Sequence, residues 1–149
     1  MPMMTGEQYL ASLEDGRRIY ADGEQVKDLT SHPQFATAIR LVEKGYADHY
    51  QPGDDVNGPY FAIPRSRDDL RSLLGTLLHW DMVTVTTSQG LLALLTAAAR
   101  MRADHPHYSQ RIEDYFEHCR RNDLRCVQAI TDAKGGQVQF RADKTGNVN

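Results

Sequence analysis

Ile112-Glu-Asp-Tyr-Phe-Glu-His-Cys-Arg-Arg-Asn-Asp-Leu-Arg-Cys-Val-Gln-Ala-Ile130 places apolar side chains at Ile112, Tyr115, Phe116, Cys119, Cys126, Val127 and Ile130. Intervals of three, four and seven are those of a helix with one face turned to a core. Pro106 suits the first position of this helix, where no N–H partner exists, with Asp104 or His105 as its cap. Lys134-Gly-Gly136 is its stop. A second stretch reads the same way. Ser66 followed by Asp69 forms a capping box with Asp in place of Glu, and Leu70, Leu73, Leu74, Leu77 and Leu78 then repeat at helical spacing.

Working outward, Leu91 to Met101 is apolar nearly all round, which predicts a helix buried on several sides. Before it, the β-branched run Val83-Thr-Val-Thr-Thr87 and then Ser88-Gln-Gly90 predict a break. Nearer the start, Thr5 caps a short helix that Gly16 ends, and Arg18 to Val26 folds as a hairpin about Asp22-Gly23. Pro33 opens a helix carrying Phe35, Ile39, Val42 and Tyr46. Gln51 to Tyr60 is a loop, Phe61 to Pro64 a short extended segment, and Gln137 to Asp143 a lone strand. The expected fold is mainly α: a helical bundle with a small N-terminal β-hairpin, one domain over residues 1–136 and a C-terminal tail over 137–149.

Composition limits the partners. The chain has 149 residues, 40% hydrophobic, with 17 basic against 20 acidic side chains and a net charge of -3. That suffices for one buried core and gives no basic footprint for nucleic acid. No apolar run of the roughly 20 residues needed to cross a membrane is expected. Cys119 and Cys126 are seven positions apart; on one helix they lie about two turns apart, too far for a disulfide. With no secretory leader pattern at the start, reduced thiols in a cytoplasmic protein are expected.

The candidate chemistry lies in polar residues where the pattern asks for apolar ones. Asp123 shares the stripe of the last helix, and Asp81 stands likewise to Leu77, Leu78 and Val85. A buried carboxylate is either bonded within the scaffold or, in a cavity, poised as a general base. Both roles stay open for these two. Thr84, Thr86, Thr87, Ser88 and Gln89 form a cluster of neutral hydrogen-bonding groups beside the aliphatic run Leu91 to Leu95, which fits either a small-molecule pocket or helix caps. His79, Trp80 and Asp81 point about 100° apart on a helix and do not converge. His105 and His107 lack further ligands for zinc, and His118 beside Cys119 makes no nucleophilic pair. No metal site and no nucleotide loop is expected.

Three spaced segments carry a resemblance: Asp15-Gly-Arg-Arg-Ile-Tyr20 with Gly23-Glu-Gln-Val-Lys-Asp28 and Thr30-Ser-His-Pro-Gln-Phe35; Pro64 to Leu70 with Trp80; and Tyr115-Phe-Glu-His-Cys-Arg-Arg-Asn-Asp-Leu124. In this order they resemble the 4-hydroxyphenylacetate 3-monooxygenase family over roughly residues 5 to 135. The resemblance implies a helical N-terminal domain like that of acyl-CoA dehydrogenases, followed in the family by a β-domain and a C-terminal bundle. It also implies phenol hydroxylation by reduced flavin from a separate reductase.

The family's substrate residues do not carry over. Its Arg-(Ser/Thr)-Pro-Asp-Tyr loop would fall where this chain reads Val85-Thr-Thr-Ser-Gln-Gly-Leu-Leu-Ala-Leu-Leu95, and its later His falls on Gln128, which cannot shuttle a proton. The expectation is therefore a repurposed helical domain that binds a small organic molecule and speeds a cofactor-independent step of the cyclisation or isomerisation type. Asp123, Asp81 and Gln128 are its catalytic candidates, and Thr84, Thr87, Ser88, Gln89, Leu91 and Leu95 its substrate-binding ones. No cofactor is expected, reduced FAD being the alternative together with a β-domain. A homo-oligomer or a partner protein is expected to cover apolar surface. The alternatives are a non-catalytic accessory protein and the N-terminal part of an aromatic hydroxylase.

Overall fold

The computed structural model describes residues 3–54 and 56–127. Within them the chain runs through α1 (Gly6–Ser12), β1 (Ile19–Ala21), β2 (Glu24–Val26), α2 (Ala36–His49), a single 3₁₀ turn at Pro59–Phe61, α3 (Arg67–Leu77), α4 (Met82–Met101) and α5 (Pro106–Arg121). The fold is mainly α with one small antiparallel hairpin, as expected. Gln128 and the possible strand at 137–143 lie outside the described residues.

Local chemistry accounts for most boundaries. Thr5 and Gln8 form a reciprocal capping box at α1, and Ser66 and Asp69 form the expected one at α3. Asp22 and Gly23 hold φ of 53° and 86°, the left-handed pair that a two-residue hairpin turn needs, and set Ile19 opposite Val26. Close approaches then fix the packing. A Cβ on Gly6 would stand 2.9 Å from the Glu43 carbonyl oxygen, so α1 lies tight against α2, where Tyr9 stacks on Tyr46. The core gathers Met3, Tyr60, Phe61, Leu91, Phe116 and Cys119, with Trp80, Leu95, Leu124 and Cys126 packed against it.

Four expectations need correction. Pro33 does not open α2; His32 to Phe35 forms a preceding turn in which the Phe35 and Ala36 amides both donate to the His32 carbonyl. The break expected at Val83 to Gly90 is absent, and α4 runs unbroken from Met82 to Met101. There the hydroxyls of Thr86 and Thr87 donate to the Val83 carbonyl at 3.0 and 2.8 Å, back-bonds that let β-branched residues sit inside a helix. The real break lies earlier, at His79 to Asp81. Continuity makes α4 long and apolar enough, at a mean hydropathy of 1.4, to cross a membrane by length and composition, against expectation. It nevertheless turns Thr84, Thr87, Ser88, Leu91 and Ala98 into protein contacts, as a core helix does.

The helix expected over Ile112 to Ile130 is the fourth to differ. α5 ends at Arg121, not near Ile130. Leu124 N–H donates to the Cys119 carbonyl at 2.9 Å and Asp123 N–H to that of Arg120 at 3.5 Å, with Asp123 at φ 49°. This is the Schellman stop with an aspartate in the left-handed position usually held by glycine. On α3, the leucine stripe is only partly used: Leu73 is buried, whereas Leu70, Leu74 and Leu78 are 45%, 53% and 85% exposed.

Candidate functional site

The αL turn at Asp123 collects polar groups from three distant segments. Its carboxylate, 3% exposed, accepts the Met4 amide at 2.8 Å on Oδ2 and the Tyr60 hydroxyl on Oδ1. The Tyr46 hydroxyl donates to the Asp123 carbonyl at 3.0 Å and accepts the Arg125 amide at 3.2 Å. Tyr60 reaches this point because Gly58 leaves room: a Cβ there would fall 2.0 Å from the tyrosine ring. The Arg125 guanidinium lies 3.6 Å from the Tyr60 ring centre and 4.5 Å from that of Tyr46, and its Nη2 donates to the Gly45 carbonyl at 3.4 Å. Its Nη1 is buried with no partner among the described residues.

Burial pushes the Tyr46 hydroxyl up to about 12 and raises that of Tyr60 as well, so both stay protonated donors. Asp81 lies on the far side of Gly45, where a Cβ would stand 2.7 Å from its Oδ2. Its Oδ1 accepts the Val83 and Thr84 amides at 2.9 Å each, and its Oδ2 accepts the Thr84 hydroxyl at 2.5 Å. Burial alone would raise its pKa, but the Thr84 hydroxyl and the two amides outweigh it and hold the carboxyl below its usual value. Asp81 is thus the ionised N-cap of α4.

An open cleft of about 340 Å³ adjoins this network, between the 59–64 segment and α3. Ile63, Leu73 and Trp80 supply apolar walls, and Asp69, Ser72 and Thr76 the polar groups. Asp69 is already committed to the Arg65 and Ser66 amides, leaving the two hydroxyl residues as its neutral polar lining. Trp80 links the cleft to the interior: His49 meets it edge-on at 5.7 Å and Tyr60 at 6.3 Å between ring centres. Burial, then the Arg125 charge, lower the His49 pKa, so its ring favours the neutral form.

The expected site residues divide. Asp123 and Asp81 lie in the Tyr46–Tyr60–Arg125 region, each already hydrogen-bonded. The Thr87 hydroxyl accepts the Cys126 amide at 2.9 Å and faces the Cys126 and Val83 carbonyls, pinning the segment after α5 to α4. Ser88 is fully buried, its Oγ without a partner among the described residues. Leu91 belongs to the core, Leu95 packs against it, and Gln89 is exposed. None of Thr84, Thr87, Ser88, Gln89, Leu91 or Leu95 lines the Trp80 cleft. Sequence reasoning missed Tyr60, Arg125 and His49. The Gly58-Pro-Tyr60 signal was present, since a glycine two residues before a tyrosine permits a folded-back ring.

Residues 5–146 match the family described as the 4-hydroxyphenylacetate 3-hydroxylase N-terminal domain. The chain belongs to that family. It is 36% identical over 94 residues to the 4-hydroxyphenylacetate 3-monooxygenase oxygenase component of Klebsiella oxytoca, covering 54% of this chain and 18% of that protein. It is 50% identical over 92 residues to the pyoverdin chromophore biosynthetic protein PvcC of Pseudomonas aeruginosa, covering 55% and 18%. A crystal structure of an HpaB mutant superposes with a TM-score of 0.66 at 19% identity, over 89% of this chain and 32% of that one. The chain thus spans about a fifth of the length of these curated relatives.

Membership raises the question of flavin. The Trp80 cleft offers one carboxylate and two hydroxyl residues and no cation, a donor set that does not fit the diphosphate of FAD. At about 340 Å³ it sits at the small end of the roughly 300–1,000 Å³ typical of ligand sites. Among the described residues no group of three His, Cys, Asp or Glu side chains converges as a metal site.

Proposed function

We propose that this chain, as a domain of the 4-hydroxyphenylacetate 3-hydroxylase family, binds a small aromatic molecule in the Trp80 cleft and serves a biosynthetic pathway. The observation that carries this reading is the cleft itself: apolar walls that include Trp80, two hydroxyl residues on α3, and a single carboxylate, Asp69, held through one oxygen by the Arg65 and Ser66 amides. Relatives whose names specify 4-hydroxyphenylacetate and a pyoverdin chromophore support a ring-shaped ligand. In this reading Asp81 and Asp123 position the walls and do not exchange protons with substrate. The same reading makes the protein soluble and cytoplasmic, with a second copy of the chain covering the exposed row Leu70, Leu74 and Leu78.

The chain has one tryptophan, so its fluorescence reports the cleft directly. Titration with 4-hydroxyphenylacetate, excited selectively at the indole, is expected to quench or shift the Trp80 emission. Ser72→Leu, which fills the cleft from the exposed side of α3, removes that response while leaving the melting temperature unchanged. An emission that stays constant up to millimolar ligand overturns the reading. Sedimentation as a strict monomer at high concentration overturns the pairing.

A second reading is favoured by one specific observation. The segment Val85 to Leu95 lacks the family's loop Arg and Tyr, and Gln128 stands where its His would fall. On this reading the domain performs a cofactor-independent cyclisation or isomerisation, its contribution being to hold a flexible substrate in a reactive shape. Mass spectrometry of the product separates the two. An unchanged mass without flavin supports rearrangement, and gain of one oxygen atom with a reductase and FAD supports hydroxylation.

A further inference from the structure

The end of α5 at Arg121 has brought together two thiols that a continuous helix would have held about two turns apart. Cys126 folds back so that its Sγ stands 3.5 Å from the Sγ of Cys119. The two sit in different settings. Cys119 is fully buried in the core, whereas Cys126 is half-buried, with the Tyr115 hydroxyl 3.6 Å from its sulfur. The Cys126 amide donates to the Thr87 hydroxyl at 2.9 Å, so its position does not depend on the thiol contact.

We propose that Cys119 and Cys126 are a reversible dithiol–disulfide modification site, with Cys126 the thiol that meets the oxidant and Cys119 the one that resolves it. A disulfide needs about 2.05 Å between sulfurs, so closure asks for about 1.5 Å of approach. A change of Cys126 rotamer with a small shift of Cys126, whose own amide is held by a single hydroxyl, supplies it, while Leu124 and Arg125 stay fixed by the Cys119 carbonyl, the Tyr46 hydroxyl and the Gly45 carbonyl. With hydrogen peroxide as oxidant, the Cys126 sulfur attacks one peroxide oxygen and becomes a sulfenic acid. The peroxide O–O bond breaks, and the thiol proton leaves with the other oxygen as water. The Cys119 sulfur then displaces the sulfenic oxygen, which departs as water with the Cys119 proton. Two thiols and one peroxide give one disulfide and two waters, and a dithiol reductant reverses the step.

The division of labour follows from exposure. Burial pushes the Cys119 thiol up to about 11, with the hydrogen bond from Cys126 adding to the rise, so it is a poor first nucleophile. The consequence reaches the polar network. Arg125 and Asp123 lie between the two cysteines, so the bridge closes a covalent loop around the residues that hold Tyr46 and Tyr60.

The full chain treated with hydrogen peroxide, unfolded and alkylated with maleimide, is expected to lose two hydrogen atoms by intact mass and to take up no label. Dithiothreitol restores both labels. Cys119→Ser stops at a Cys126 sulfenic acid trapped by dimedone, and Cys126→Ser leaves Cys119 fully alkylatable after the same treatment. Cys119→Ala serves the same arm if the buried serine fails to fold. Two labels per chain after peroxide, or a bridge found only between chains, overturns the proposal. Equal dimedone trapping in the two serine variants overturns the assignment of Cys126 as the first thiol.

Discussion

The Tyr60 hydroxyl donates to the Asp123 carboxylate across 63 positions of sequence, joining the turn before α3 to the turn after α5. The same carboxylate accepts the Met4 amide, so the start of the chain is fastened to the same point. One aspartate in an αL turn therefore ends a helix through its backbone and ties two remote segments through its side chain.

Removing the donor should leave the acceptor stranded. Tyr60→Phe keeps the ring and its stacking but leaves a buried carboxylate with only the Met4 amide. The expected cost is about 1–3 kcal/mol in urea unfolding. Asp123→Asn should cost less than Asp123→Ala, because Asn tolerates the left-handed backbone and retains an acceptor. Equal loss in the Asn and Ala variants would show that neither property matters there.

Gly45 and Asp81 should behave as a coupled pair. Gly45→Ala forces a Cβ to within 2.7 Å of the Asp81 carboxylate oxygen, so either the cap or the α2 backbone must yield. Asp81→Ala alone removes the cap of α4, at about 0.5–2 kcal/mol. In the double variant the obstructing carboxylate is gone. The two losses should then sum to less than additive by about 0.5–3 kcal/mol, read from a double-mutant cycle. Strict additivity would mean that the clash is absorbed elsewhere.

The contrast between Asp81 and Asp123 shows what was legible in the sequence. Helical class, the hairpin register and the caps at Thr5 and Ser66 follow from local chemistry and are present as read. The two aspartates were rightly marked as anomalies, yet both were placed inside continuous helices. Each in fact breaks one. An N-cap aspartate and an αL aspartate look alike in a periodic pattern because the leucine and cysteine positions on either side happen to stay in helical phase. Only long-range partners distinguish them: Gly45 for Asp81, Tyr60 and Met4 for Asp123. The cleft was illegible for the same reason, since its lining joins the 59–64 segment to one face of α3.

Arg125 offers a test of geometry against charge. Its guanidinium lies over the Tyr60 ring at 3.6 Å and the Tyr46 ring at 4.5 Å, and a lysine ammonium has no planar group to put there. Arg125→Lys should therefore destabilise by about 0.5–2 kcal/mol and alter the tyrosine bands in near-UV circular dichroism. Stability and spectrum unchanged in the lysine variant would reduce the contact to simple charge.

His49 should impose a pH dependence of known sign. Burial, followed by the Arg125 charge, depresses its pKa in the folded chain below the ordinary 6.5. Between that depressed value and 6.5, the unfolded chain binds more protons than the folded one, so stability rises with pH across this window and falls as pH drops through it. Above 6.5 both states are neutral at this position and the contribution is flat. His49→Phe keeps an edge-on ring against Tyr60 and Trp80 but cannot titrate. Subtracting its melting profile from that of the unaltered chain isolates the effect of His49 from the other histidines. The difference should fall as pH is lowered from 7.5 toward 5. Arg125→Met removes the second cause of the shift, so the imidazole NMR titration of His49 should move upward in that variant. A downward move would mean that loss of the guanidinium buries the ring more deeply, and that packing by Arg125 outweighs its charge.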